Sequence, residues 1–171
     1  MIGLKRGIVV LEEYSIEWEI NAKKIISELR EIFGDKAVDI QHIGSTAIRN
    51  LKAKPIIDIL VGVKDFQDVF KIMKSLESRG FIHKRANDNK NHMFFSCGDF
   101  KNDIRTHHIH VDIYGGDEWN DYIKFRNKLR SNKDLRMKYE QLKIDLCEQF
   151  PNDRENYTEM KGAFIREVLD T

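Results

Sequence analysis

The chain has 171 residues, 41% hydrophobic and 33% charged, enough to bury one core and ordinary for a globular domain. Lys plus Arg number 29 against 28 Asp plus Glu, and the net charge of +1 argues against a dominant polyanion-binding surface and so against nucleic acid as the partner, while leaving room for a local basic patch. The only cysteines, Cys97 and Cys147, exclude a zinc ribbon or a disulfide framework and read as reduced thiols of a cytosolic protein.

The first stretch, MIGLKRGIVVLEEY, has a short apolar run closed by two glutamates, which is not the pattern of a signal peptide. Nothing approaches the roughly 20 apolar residues of a membrane span, so a cytoplasmic protein without a membrane partner is expected. Residues 7–11, GIVVL, read as a short strand. Residues 17–33 carry Trp18, Ile25, Ile26, Leu29, Ile32 and Phe33 at helical spacing, with Ser15 as the cap and Gly34 at the end. AVDIQHIG alternates and runs as a strand into a Gly44-Ser45 turn. PIIDILVGV, residues 55–63, is β-branched and apolar on both faces, the pattern of a central strand covered on both sides.

Residues 65–79 return to helical period through Phe66, Val69, Phe70, Met73 and Leu76, and Gly80 ends the run. Residues 81–85 read as a strand, RANDNKNH as an exposed loop or hairpin tip, and HMFFSC and THHIHVDIYG as two strands. Helices follow over about 117–130, 133–149 and 155–169, the last two separated by Pro151-Asn152-Asp153. With only two prolines, no internal repeat and no low-complexity tract, the pattern is one α+β domain over residues 1–171. A mixed β-sheet is flanked by helices, and the C-terminal third is helical. The sequence does not fix the oligomeric state.

Two features carry chemistry. At Gly44-Ser45-Thr46 a glycine lets backbone approach a ligand, the turn offers N–H groups to phosphate, and two hydroxyls add donors; the same residues also read as a plain hydroxyl-capped turn. On the 55–63 strand, Ile56, Asp58 and Leu60 share one face. A carboxylate there is costly unless it is paired, with Lys52, Lys54 or Arg105 as candidates, or binds a metal. His108, His110 and Asp112 share one face of their strand, opposite Ile109, Val111 and Ile113.

A Gly-Ser turn followed 13 residues later by a strand aspartate resembles the signature of the nucleotidyltransferase fold, related to DNA polymerase beta. More closely, the chain resembles the GrpB family of nucleotidyltransferase-like proteins. The matching residues are Tyr14, Trp18, HIGSTAIRNLKAKPIIDILV, THHIHV, FRNKLR, Tyr139 with the LK that follows, and YTEMKGAFI. Domains of this family also occur fused to dephospho-CoA kinases.

The resemblance implies a nucleotide or another phosphorylated small molecule as partner and Mg²⁺-dependent transfer of a nucleoside monophosphate. It implies Gly44, Ser45 and Thr46 on the phosphates, Arg49, Lys54, Arg126 and Lys161 as neutralising cations, and Asp58 and Asp112 on the metal, with Asp112 also the base. His108 and His110 with Asp58 form an alternative set for Zn²⁺ or Mn²⁺, and a sheet face without metal is the third reading. Two departures stand out. The superfamily's Asp-x-Asp/Glu pair would place a carboxylate at position 60, where this chain has Leu60, and the family's Val-Pro-Gly-Leu after Gly-Ser-Thr appears as Ile48-Arg49-Asn50-Leu51. The first favours a second reading, a nucleotide-binding regulatory domain without transfer. His42 is expected to orient the turn by hydrogen bonding.

Overall fold

The computed structural model describes residues 1–171. In chain order the elements are β1 (Leu4–Lys5), α1 (Ile16–Phe33), β2 (Ala37–Ile43), β3 (Ile57–Val63), α2 (Phe66–Lys71), α3 (Met73–Ser78), β4 (Ile82–His83), β5 (His92–Cys97), β6 (Ile104–Arg105), β7 (His107–Ile113), α4 (Asp117–Ser131), α5 (Lys133–Gln149) and α6 (Arg154–Asp170). The main sheet has the order β2-β3-β7-β5-β4. Its β3–β7 pair is parallel and its other pairs antiparallel, so the sheet is mixed. β1 and β6 form a separate two-stranded ribbon.

Alternation along β3 decides what each face becomes. Ile57, Ile59, Val61 and Val63 point into the main core, where α1 supplies Trp18, Ala22, Leu29 and Phe33 and the α2–α3 region supplies Val69, Leu76 and Phe81. Ser15 accepts from the Glu17 N–H and starts α1 as expected. Asp58, Leu60 and Gly62 point to the other face, over which α4, α5 and α6 pack as a helical layer.

The region expected as one helix over 65–79 is two helices broken at Ile72 (φ −108°, ψ 7°). The expected strand at residues 7–11 does not form. Val9 instead fills the gap against Leu146 and Tyr157, and its N–H donates to the Pro151 carbonyl, so the apolar run is an extended filler between helices. No helix is long and apolar enough to cross a membrane.

Candidate functional site

The parallel register of β3 and β7 sets Asp58 beside His108, Leu60 beside His110, and Gly62 beside Asp112. His108 Nδ1 and His110 Nε2 lie 3.3 and 3.4 Å from the same oxygen, Asp58 Oδ1. The ring protons follow from the outer partners. Arg154 Nη2 lies 3.3 Å from His108 Nε2, and arginine only donates, so Nε2 accepts and the proton sits on Nδ1, facing Asp58. At His110, Nε2–H donates to the carboxylate and Nδ1 accepts from the Tyr122 hydroxyl at 3.3 Å. Burial works to raise the Asp58 pKa, but the hydrogen bonds donated by His108 and His110 outweigh it and hold the carboxyl well below its usual range. Burial lowers the His108 pKa, against the pull of Asp58.

The other oxygen, Oδ2, faces the turn after β2. Gly44 there has φ 70°, and a Cβ on it would lie 2.6 Å from Asp58 Oδ2, so only glycine fits both the backbone and the neighbour. Thr46 is 1% exposed and its hydroxyl is taken by His42 Nε2 at 2.9 Å, the orienting bond expected of His42. Burial lowers the His42 pKa to about 4, which keeps the ring neutral. The Thr46 hydroxyl is therefore engaged within the turn, while Ser45 stays partly exposed.

Beyond Asp58 the sheet face and the three C-terminal helices enclose a cavity of ≈ 880 Å³. Lys54, Lys143, Arg154 and Lys161 all line it beside Asp58. Lys54 and Lys161 both sit over the Tyr157 ring, 4.9 and 4.6 Å from its centroid, and Lys143 lies 5.0 Å from that of Tyr139. None of the four pairs with a carboxylate. Burial lowers them all, Lys161 to about 8 and Lys143 to about 7, with repulsion from neighbouring cations of the cluster adding to it for the lysines and from Arg105 for Arg154. Asp58 is the one carboxylate that opposes the shift in Lys54, Lys161 and Arg154.

Several residues named from sequence lie elsewhere. Asp112 is four residues along β7 from His108, the register partner of Asp58, about 13 Å at a strand rise of about 3.3 Å, so the two aspartates cannot share an ion. Asp112 Oδ1 instead meets His92 Nδ1 at 2.5 Å. Arg126 is 8% exposed and spends its guanidinium on Gln41 Oε1, the His42 carbonyl and Asn127 Oδ1, clamping α4 to β2 rather than facing the cavity. Arg49 pairs with Glu19 at 2.8 Å and lines a second cavity on the far side of the turn. Lys52 pairs with Glu13 and Arg105 with Asp103, so the partners of Asp58 are histidines and not these cations. Leu60 is fully buried with Ile43 and Trp119. Arg154, Tyr122 and His92 carry no mark in the sequence, and Lys143 enters there only within the Leu142-Lys143 pair of the family resemblance, with no role attached. Lys143 sits four residues after Tyr139 on α5 and Arg154 opens α6, positions that read as ordinary helix surface.

A model of the GrpB protein family matches residues 8–171. The chain belongs to the GrpB family. Glutamate-rich protein GrpB of Alkalihalophilus pseudofirmus is 41% identical over 172 residues, covering 99% of both chains. The crystal structure of conserved protein GrpB from Enterococcus faecalis superposes with a TM-score of 0.86 at 30% identity, covering 94% of this chain and 95% of that one. A more distant likeness is to the Cid1 poly(U) polymerase with MgGTP bound, at a TM-score of 0.53 and 12% identity, over 80% of this chain and 43% of that one. That likeness is one of fold alone: this chain has the nucleotidyltransferase-like fold, a mixed sheet with flanking helices.

Proposed function

We propose that the protein binds a nucleotide or another phosphorylated small molecule in the cavity beside Asp58. The observation that carries this reading is the convergence of Lys54, Lys143, Arg154 and Lys161 on one cavity wall with no carboxylate of their own. Burying four cations together is unfavourable unless an anion joins them, and phosphate oxygens would relieve both their desolvation and their repulsion. Ser45 adds a hydroxyl, and Tyr139, Tyr157 and Phe125 add apolar wall for a base or similar group. The cavity volume of ≈ 880 Å³ lies within the roughly 300–1,000 Å³ of small-molecule sites.

Asp58 Oδ2 accepts no hydrogen bond from the protein and suits one Mg²⁺ shared with ligand phosphates, since Mg²⁺ is commonly held through one or two carboxylates plus phosphate. There the ion would neutralise phosphate charge on the Asp58 side. The place of a second carboxylate is filled by Leu60, and the ring nitrogens of His108 and His110 are engaged with Asp58, Arg154 and Tyr122, so neither a two-ion set nor a Zn²⁺ or Mn²⁺ histidine set fits. The reading is therefore a binding protein. Nucleotidyl transfer is the second reading, favoured by the fold shared with Cid1.

Calorimetric titration with ATP, GTP, CTP and UTP, with and without Mg²⁺, tests both. Binding is expected, with an Mg²⁺-dependent part that Asp58→Asn removes. No binding under any condition would sink both readings, and release of pyrophosphate across an acceptor panel would promote transfer over binding alone.

A further inference from the structure

We infer that His92, Asp112 and Glu118 form a binding site for a divalent transition ion of the Zn²⁺ class, separate from Asp58. The three come from three rigid elements, β5, β7 and the first turn of α4, and their ligand atoms all lie within 4.8 Å of one another. His92 Nδ1 is 2.5 Å from Asp112 Oδ1 and 3.9 Å from Glu118 Oε2. Asp112 is 1% exposed, and its Oδ2 is buried without a hydrogen-bond partner. A buried carboxylate oxygen left in that condition calls for a ligand.

Charge points the same way. Neither Asp112 nor Glu118 pairs with a lysine or arginine, so two carboxylates share a single imidazole, and a dication would balance them. One nitrogen and two carboxylate oxygens suit a borderline ion better than Mg²⁺ or Ca²⁺, which favour all-oxygen shells. With ligands about 2.0–2.2 Å from a tetrahedral ion, donor atoms stand about 3.3 Å apart. His92 Nδ1 and Asp112 Oδ1 would therefore separate by under about one ångström, with the ring proton on Nε2. His92 and Glu118 line the large cavity, which gives the ion its way in. The His92 ring lies 5.3 Å from that of His110, so the site borders the Asp58 network without sharing a ligand with it.

The test uses the full chain, purified without a histidine tag and stripped with EDTA, titrated with Zn²⁺ by calorimetry and with Co²⁺ by visible absorption, in the absence of any phosphate compound. One ion per chain is expected, with d–d bands for Co²⁺. Asp58→Asn should keep that affinity, while Glu118→Gln, a half-exposed position, should lower it about ten-fold or more. Asp112→Asn should do the same, with circular dichroism confirming the fold of each variant. No bound ion, or unchanged affinity in Glu118→Gln, would overturn the site and leave a hydrogen-bonded His92–Asp112 pair. Because the assay holds no phosphate, such a failure leaves the phosphate-binding reading untouched.

Discussion

Gly44 and Asp58 are fitted to one another: the space a Cβ would take on residue 44 is held by Asp58 Oδ2, 2.6 Å away. The carboxylate cannot swing clear without giving up His108 and His110, which hold its other oxygen. Gly44→Ala must therefore strain a φ of 70° and displace Asp58 together. The expected loss of stability is about 1–3 kcal/mol, with loss of the Mg²⁺-dependent part of nucleotide affinity. Urea unfolding and calorimetry measure the two. An unfolding midpoint equal to that of the parent would show that the turn and the strand are not so tightly joined.

Leu60 stands where a second metal carboxylate would be, and its surroundings show why restoring the motif on paper would not restore a site. Ile43 and Trp119 bury it completely, and Trp119 approaches so closely that a Cβ on Gly62 would lie 2.8 Å from its ring. Leu60→Asp would place a charge under that ring, beside a His110 whose two ring nitrogens are already engaged with Asp58 and Tyr122. It should destabilise the fold by about 3–5 kcal/mol without creating pyrophosphate release from any nucleotide. A stable Leu60→Asp protein that gained transfer activity would refute this account.

The sequence carried the sheet and the central carboxylate well. Strand alternation placed Asp58 on one face with Ile56 and Leu60 of a strand covered on both sides, and the apolar face opposite His108, His110 and Asp112 marked β7 as half in the core. What it could not carry was register and long-range convergence. Same-face alternation put Asp112 with His108, yet only the parallel pairing of β3 with β7 shows that Asp112 lies beside Gly62, away from Asp58. Arg126 and Lys161 looked alike as helix cations. The clamp on the His42 carbonyl that buries one, and the cavity that takes the other, depend on helix packing across the sheet. Lys143 sits between Leu142 and Ile144 on a helix, and nothing local marks it as buried.

The depressed lysines set opposite pH trends for stability and for anion binding. In the unfolded chain Lys143 and Lys161 titrate near the ordinary 10.5, whereas in the fold they titrate at about 7 and about 8. Between about pH 7 and 10.5 the unfolded chain holds protons that the folded chain has released. Stability from these groups therefore rises with pH through that window, and below it the folded state bears the full cost of burying the charges. Affinity for sulfate, whose charge is constant over the range, should fall over the same interval as the lysines lose their protons. Lys143→Met should flatten both profiles. Sulfate affinity that rises with pH would contradict the assignment.

Arg126 and Arg154 separate scaffold from site. Removing Arg126 leaves the His42 carbonyl and Gln41 without their donor in a buried place, so Arg126→Ala should cost about 1–3 kcal/mol of stability. The folded protein should still bind sulfate or nucleotide as the parent does. Arg154 faces the cavity and touches His108 at 3.3 Å. Arg154→Ala should weaken anion binding about ten-fold or more, the loss of one charge-assisted bond, while the unfolding free energy holds or rises as Lys54 and Lys161 are relieved of its repulsion. Calorimetry and denaturant unfolding on the two variants side by side decide it. If Arg126→Ala lost binding while Arg154→Ala lost stability, the anion site would have to be moved from the cavity wall to the β2–α4 junction.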